Sequence, residues 1–171
     1  MEYRLSLQNI IKTFPGVTAV NKASLNITKG EIHALVGENG SGKSTLCMTL
    51  SGVYQPDAGD IFIDGEKITF SDPRHAQENG ISMMYQESNL VPELTVAENI
   101  FLGQGEFISN SKNTISMSQE ILKKLNFDVD VLQKAKYLSG AQMQMIEIAK
   151  AINKKAKIMI MDEPTAALSI K

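Results

Sequence analysis

Residues 37–44 read GENGSGKS, and this stretch restricts the possible folds more than any other part of the chain. It fits the pattern G-x-x-x-x-G-K-[S/T], with the apolar segment IHALV (32–36) before it and the helically spaced segment STLCMTLSGV (44–53) after it. Glycines let such a loop curl until successive N–H groups point inward, and the positive end of the following helix also attracts anions. The sequence therefore predicts a strand, a phosphate-binding loop and a helix, in that order.

Two side chains of this loop have distinct expected roles. Lys43 supplies a mobile positive charge for the β- and γ-phosphates of a nucleotide, and Ser44 supplies a hydroxyl for Mg²⁺. The residues expected to contact the nucleotide are Gly37, Glu38, Asn39, Gly40, Ser41, Gly42, Lys43, Ser44 and Thr45. The alternative, a glycine-rich turn with a purely structural role, is disfavoured by the flanking strand and helix patterns.

A second candidate site follows the apolar segment KIMIM (157–161). Asp162 would end a buried strand, where its carboxylate can hold Mg²⁺ or a bound water, and Glu163 can accept the proton of an attacking water. By itself this pattern would serve equally well as a capped strand end. In combination with Lys43 it predicts magnesium-dependent hydrolysis of a nucleotide.

Composition and charge exclude several other classes of protein. Seventeen basic and nineteen acidic residues give a net charge of −2, which does not indicate a nucleic-acid partner. Cys47 is the only cysteine, so it is expected to be a small buried residue rather than part of a disulfide or metal cluster. The start MEYRLSLQNI lacks the pattern of a signal peptide, and no apolar run reaches the ~18–20 residues of a membrane span. A soluble, cytosolic molecule is expected.

Strands that alternate with helices predict an α/β fold built on a parallel sheet. The segments YRLSLQNI (3–10), ASLNIT (23–28) and GISMMY (80–85) are expected to be strands, and GDIFIDGEKITF (59–70) a hairpin that turns at Asp64-Gly65. Thr95 and Glu98 have the spacing of a capping box at the start of a helix. The apolar stripes that three helices are expected to bury are Leu46, Leu50 and Val53; Met117, Ile121 and Leu125; and Met145, Ile148, Ala149 and Ile152.

Two further stretches indicate a family. YQE (85–87) and LSGAQMQ (138–144) occur in this order between the phosphate loop and the two carboxylates. With these four motifs the chain resembles an ABC-type ATPase over essentially its whole length. The resemblance implies a P-loop NTPase (RecA-like) core with an antiparallel β subdomain and a helical subdomain over about residues 87–153.

The resemblance also implies roles for individual residues. Gln86 would contact Mg²⁺ and the attacking water, and it would couple the site to a membrane partner; Glu163, Gln86 and Lys43 would be the catalytic residues. The segment with Ser139, Gly140 and Gln142 would clamp the γ-phosphate bound by the opposite subunit. Phe14 matches the aromatic residue that stacks on adenine, and the alternative is that it anchors the turn at Pro15-Gly16.

The stretches FPGVTAV, GENGSGKST, NLVPELTVAENIFLG and QMIEIAKAI together resemble the ATP-binding subunit of a ribose-, xylose- or galactose-type importer. This implies ATP and Mg²⁺ as cofactors, and a peripheral position on the cytoplasmic face of the cell membrane. Implied partners are transmembrane permease subunits, a sugar-binding protein and a second nucleotide-binding domain or dimer partner. The alternative is a soluble ABC-type ATPase that acts on nucleic acid or the ribosome, which large coiled-coil inserts or basic arms would favour; the sequence shows neither.

The sequence departs from the family pattern in three places. Ala141 replaces the second glycine of the LSGGQ motif, and Ser169 stands where an aspartate is usual. The family's switch histidine lies beyond the glutamate, whereas His33 and His75 both precede Glu163 and are expected to be structural or solvated. We therefore expect residues 1–171 to be the front part of a first nucleotide-binding domain, C-terminally truncated and inactive alone.

The family also predicts where a missing strand would matter. In such ATPases the strand that follows the carboxylate strand lies between it and the phosphate-loop strand. Without it, a gap of about two strand spacings, ~10 Å, would remain between residues 32–36 and 157–161. Another copy could fill that gap, the two strands could pair directly, or the C-terminal end could be disordered. In each case Glu163 would lie out of catalytic register with Lys43.

Overall fold

The computed structural model describes residues 3–85, 89–103 and 112–162. The chain divides into two compact units, Met1–Ser82 and Met83–Lys171. The first contains the phosphate loop, and the second contains the three later motifs. Across the described ranges, no helix is both long enough and apolar enough to cross a membrane.

The first unit is built on an antiparallel sheet. Strands β1 (Tyr3–Phe14) and β2 (Val17–Thr28) pair with each other, β3 (Ala58–Ile63) pairs with the other edge of β1, and β4 (Glu66–Ile68) pairs with β3. The predicted hairpin is confirmed. Asp64 and Gly65 both have positive φ, 51° and 81°, as the two central residues of a type I′ turn require. The buried apolar side chains of this sheet are Leu5, Leu7, Ile10, Val20, Ile61 and Ile63.

The predicted strand at residues 32–36 is wrong. The chain is irregular from residue 31 to 38, and Ile32 and Val36 are 99% and 88% exposed. A strand exists only where a neighbour satisfies its N–H and C=O groups, and none of the strands that the structure describes pairs with this segment. At its start the carboxylate of Glu31 accepts bonds from the N–H and hydroxyl of Thr28 and contacts His33. The Thr28 N–H is the main reason that the pKa of Glu31 falls to about 2.

Helix α1 (Lys43–Leu50) follows the phosphate loop. Leu46 and Leu50 are buried as predicted, but Val53 lies beyond the helix and is 41% exposed, so its assignment to the buried stripe is wrong. The helix stops earlier than the apolar spacing suggested, because Gly52 adopts φ 79° just after it, a left-handed conformation with which many helices end. Cys47 is only partly buried. His75 lies in the short helix α2 (Pro73–Glu78), where its ring accepts a hydrogen bond from the Ser71 N–H and meets Phe70 edge-on.

The second unit is mainly helical. Its helical elements are α3 (Val96–Phe101), α4 (Lys112–Lys124), a 3₁₀ turn (Ala135–Tyr137) and α5 (Gly140–Asn153). Strand β6 (Ile158–Met161) follows α5, and β5 (Ile81–Met84) and β6 form a two-stranded sheet. The capping box of Thr95 and Glu98 is confirmed at the start of α3. The core between α3, α4 and α5 contains Leu90, Val96, Ala97, Ile100, Leu122, Val131, Ala135, Leu138, Ile146 and Ala149.

Two of the predicted helix faces are rotated relative to those observed. Helix α4 buries Thr114, Ser118 and Leu122, while Met117 is 40% exposed and Ile121 and Leu125 reach the core from the side. Helix α5 buries Ile146, Ala149 and Ala151; Met145 and Ile148 are half-buried, and Ile152 is 44% exposed. Small residues such as Ser118 and Ala151 share the buried faces with Leu122 and Ile146, and a search for apolar spacing does not find the buried polar residues.

Candidate nucleotide-binding site

The phosphate loop is closed around the ammonium group of Lys43. The Nζ atom of Lys43 donates to the carbonyl oxygens of Gly37 and Glu38, each at 2.8 Å, and lies 3.5 Å from the Ser41 hydroxyl. A turn in which the Ser41 N–H donates to the Glu38 carbonyl at 3.2 Å closes the loop from the other side. A compact positive charge is thus held among exchangeable carbonyl partners, which the oxygens of a phosphate can replace.

Two glycines give the loop its shape. Gly40 and Gly42 adopt φ of 83° and 90°, in the region that favours glycine. Gly42 is also the N-cap of α1, and a Cβ there would lie 2.2 Å from the backbone oxygen of Ala19 on β2. The close approach of strand β2 therefore explains why the start of α1 needs glycine, and the open end of the helix faces the loop that would hold an anion.

We expect Gly42→Ala to destabilise the first unit more than Gly40→Ala. Both variants force alanine into a left-handed conformation, at a cost of about 1–3 kcal/mol. Only Gly42→Ala adds a clash with fixed backbone, since a Cβ at Gly40 has open space among the described residues. Urea unfolding of the two variants measures the difference, and equal losses would show that the approach of Ala19 is not the reason for glycine at this position.

Phe14 packs at the end of β1, beside the segment that follows α1. Its ring meets the Tyr54 ring edge-on at 5.1 Å between centroids, and the Lys12 ammonium lies 5.6 Å from its centroid. Lys12 is itself paired with Asp57 at 3.0 Å, and the pKa of Asp57 is held below its usual value by the hydrogen bond from Lys12 and by the Thr13 N–H. These contacts support the turn-anchoring interpretation of Phe14, and stacking on adenine stays a prediction.

The carboxylate motif begins directly after β6. The N–H of Asp162 donates to the carbonyl of Met84 at 3.1 Å, so the carboxyl ends of β5 and β6 lie together. Oxygen ligands such as the Asp162 carboxylate and the Ser44 hydroxyl fit Mg²⁺, but they belong to different units. Gln86 and Glu163 lie outside the described residues. The joint arrangement of these four residues, and the register of Glu163 with Lys43, stay predictions.

The segment 138–142 forms the start of α5. The Ser139 hydroxyl accepts from the Gln142 N–H at 3.3 Å, and the Gln142 side chain accepts from the Ser139 N–H at 2.9 Å, which is a capping box. Leu138 is buried and fixes the segment to the core, while Ser139 and Gly140 are exposed. The helix start therefore presents its positive end to solvent, as a phosphate-binding role requires.

Sequence reasoning missed two residues close to this helix start, and neither lies in one of the four motifs. Glu93 contacts Lys134 and Lys136 just before it, and Asn99 binds the turn at residues 91–95, whose backbone pairs with the same stretch. Asn99 lies within a helical pattern, where one amide among apolar residues does not indicate a functional role. Glu93 was an ordinary charged residue in a loop, and only its contacts in the fold distinguish it.

The fold and the order of these motifs define a nucleotide-binding cassette. The family model for ABC transporters matches residues 20–166, and the chain belongs to this family. The fold agrees with solved cassettes: an ATP-binding cassette of an ABC transporter in its ADP conformation is 30% identical, with a TM-score of 0.86 over 99% of this chain and 71% of that one. A dimeric cassette in a post-hydrolysis state with ADP and Pi is 29% identical, with a TM-score of 0.79 over 96% of this chain and 76% of that one.

Its curated relatives include importer subunits. The chain is 47% identical to a galactose/methyl galactoside import ATP-binding protein of Clostridium perfringens, over 98% of this chain and 33% of that protein. It is 48% identical to an arabinose import ATP-binding protein of Vibrio parahaemolyticus (96% and 33%) and 47% identical to a xylose import ATP-binding protein of Geobacillus kaustophilus (98% and 34%). The chain therefore spans about a third of the length of the curated relatives that it matches.

Proposed function

We propose that this chain is the front part of the first nucleotide-binding domain of a monosaccharide importer, and that the whole protein couples ATP hydrolysis to sugar uptake. The observation that carries ATP binding is the Lys43 ammonium, which lies between the carbonyls of Gly37 and Glu38 at the start of α1. The sugar-import assignment is supported by three relatives named for galactose, arabinose and xylose import.

In this proposal each motif has a separate task. The loop from Gly37 to Thr45 binds the phosphates, with Lys43 on the β- and γ-phosphates. Ser44 and Asp162 hold Mg²⁺, which neutralises charge that develops on the phosphate oxygens. Glu163 takes the proton of the attacking water, and Gln86 orients that water. The capped start of α5 completes the site of the opposite domain through Ser139, Gly140 and Gln142.

The experiment is reconstitution of the full-length protein with its permease subunits and sugar-binding protein in vesicles. We expect uptake of a labelled monosaccharide that requires ATP and is lost in Lys43→Ala. Galactose, ribose, arabinose and xylose are tested in parallel, since the recognised sugar is set by the partner proteins. ATP turnover that responds to nucleic acid or ribosomes, and not to the assembled permease, would instead favour the soluble ATPase alternative.

We also expect the region from Thr95 to Leu125, together with Gln86, to face the permease. The physical basis is an amphipathic helix pair, α3 and α4, placed in the chain between the phosphate loop and the capped start of α5. Crosslinking from single cysteines at exposed positions such as Met117 should reach a permease subunit in the assembled transporter. Crosslinks that form only from the β1–β2 hairpin would contradict this placement.

A further inference from the structure

We propose that Asn99 and Glu93 are positioning residues that hold the capped start of α5, and with it Ser139 and Gln142, in the place needed for ATP hydrolysis. They act through the turn at residues 91–95, here named the bracket turn, which lies just before α3. The proposal rests on the proposed function, because the phosphate contact of the α5 start is part of it. The contacts that carry it all lie within the second unit.

Asn99 holds the bracket turn from inside. Its side chain is fully buried, and its amide oxygen accepts from the Val91 N–H at 2.8 Å. Its amide nitrogen donates to the carbonyls of Val91 and Thr95 at 3.1 and 3.0 Å, with that of Leu94 at 3.3 Å. A single side chain thus satisfies both ends of the turn, which fixes its shape because buried polar groups cannot exchange their partners for water.

The bracket turn is attached by backbone hydrogen bonds to the stretch that leads into α5. The Ala135 N–H donates to the Leu94 carbonyl at 2.9 Å, and the Lys136 N–H donates to the Pro92 carbonyl at 3.0 Å. In the other direction the Val96 N–H donates to the Gln133 carbonyl at 2.9 Å. The two stretches therefore form a short ladder, and a shift of the turn would move residues 133–136 with it.

Glu93, in the bracket turn, forms ion pairs with the stretch on the other side of the same ladder. Its two carboxylate oxygens contact the ammonium groups of Lys134 and Lys136, each at 3.0 Å. The hydrogen bonds from Lys136 and Lys134 lower the pKa of Glu93 below its usual value. Exposed ion pairs contribute little to the free energy of unfolding. One carboxylate shared by two lysines of one stretch instead restricts the direction in which that stretch can move.

The path from the ladder to the cap is short and packed. The Leu138 N–H donates to the Ala135 carbonyl at 3.0 Å, and the Leu138 side chain is buried in the same core as Ala135. Ser139 follows directly as the N-cap of α5. Further along the helix, Glu147 accepts from the Asn89 N–H at 2.9 Å, so α5 is also joined to the stretch that enters the bracket turn. Contacts to a transferring phosphate tolerate little misplacement. A looser attachment of the α5 start would therefore slow ATP hydrolysis.

The test uses the full-length protein assembled with its partners and compares Glu93→Gln and Asn99→Ala with the control Glu66→Gln. Glu66 is an exposed carboxylate on β4, outside the region expected to face the permease, so its change to glutamine matches that of Glu93 in chemistry. We expect kcat for ATP to fall about tenfold or more in Asn99→Ala and severalfold in Glu93→Gln, because small misplacements of reacting groups cost up to about 100-fold. The nucleotide Kd and the Tm of Glu93→Gln should match those of Glu66→Gln.

Hydrogen exchange gives a readout that does not depend on ATP. The Met143 N–H donates to the Ser139 carbonyl in the first turn of α5, and it should exchange faster in both test variants while the Ile146 N–H does not. Unchanged exchange at Met143 would overturn the proposal, as would a fall in kcat accompanied by equal losses in Tm and nucleotide affinity. Should Asn99→Ala fail to fold, Glu93→Gln decides alone.

The same data separate this proposal from the function on which it rests. Absence of ATP turnover in the unaltered assembly would refute the proposed function, and the exchange measurement would still be informative about the bracket turn. Faster exchange at Met143 with unchanged kcat would overturn the inference, because the bracket turn would then hold a segment that has no part in turnover.

Discussion

Lys43→Ala is expected to weaken the binding of MgATP and MgADP at least tenfold. The Lys43 ammonium lies 2.8 Å from two loop carbonyls, at the centre of the surface that phosphates would occupy. Removal of one charge-assisted phosphate contact costs about 1.5–3 kcal/mol, which corresponds to a factor of ten or more in Kd. The variant also leaves the carbonyls of Gly37 and Glu38 without their cationic partner, which further disfavours an anion nearby.

Calorimetric titration with each nucleotide measures this effect. The matched control is Lys29→Ala, which removes an exposed lysine from the turn after β2 and should leave the Kd unchanged. Equal nucleotide affinity in the unaltered protein and in Lys43→Ala would refute the phosphate-loop assignment. A loss of similar size in Lys29→Ala would show that the general positive field, and not the loop, attracts the nucleotide.

Glu163→Gln is expected to lower ATP turnover by the assembled full-length transporter by a factor on the order of 10²–10⁴, the usual contribution of a positioned general base. Glutamine keeps the shape of the side chain but cannot take a proton from water. Because the proposed phosphate contacts come from the loop at Gly37–Thr45, nucleotide affinity should be retained. Phosphate release measures turnover, and calorimetry measures affinity.

Two comparisons sharpen this result. Glu66→Gln makes the same carboxylate-to-amide change at an exposed position of β4 and should turn over ATP at the unaltered rate. Residues 1–171 alone are expected to bind nucleotide without hydrolysing it, since in the proposed function the clamp at Ser139–Gln142 acts on a second domain. Turnover in Glu163→Gln equal to that of the unaltered assembly would remove Glu163 from the mechanism. Robust turnover by residues 1–171 would show that the rest of the protein is not needed for the chemistry.

The sequence predicted those parts of the site that local chemistry determines. The phosphate loop, its glycines and the position of Lys43 follow from one short pattern, because a loop that must approach phosphates with its backbone needs glycine at particular places. The Asp64-Gly65 turn and the capping box at Thr95 were predicted for the same reason. The capping box at Ser139 was not predicted, but it also depends on residues that are close in sequence. Each depends on hydrogen bonds between residues that are close in sequence.

Features that depend on distant partners were predicted less well. Residues 32–36 have the composition of a strand, but a strand requires a neighbour, and the described residues supply none to this segment. Met117 and Ile152 fit an apolar stripe and are nevertheless exposed, because the direction from which another helix packs decides which side of a stripe is covered. The sequence shows the apolar stripe, but it does not show from which direction the neighbouring helix packs against it.

The chain's sequence alone therefore indicated the family and predicted the nucleotide chemistry, since motif residues carry their chemistry wherever the fold places them. Only the tertiary structure assigned roles to Asn99 and Glu93. Asn99 lies among apolar residues of α3, and its four partners are carbonyl and N–H groups of the backbone, which any sequence would offer. Glu93 meets Lys134 and Lys136 only because the chain returns past it to begin α5. Neither the backbone partners of Asn99 nor the distant lysine partners of Glu93 leave a pattern of residue types in the sequence, so the fold must be known before these contacts can be found.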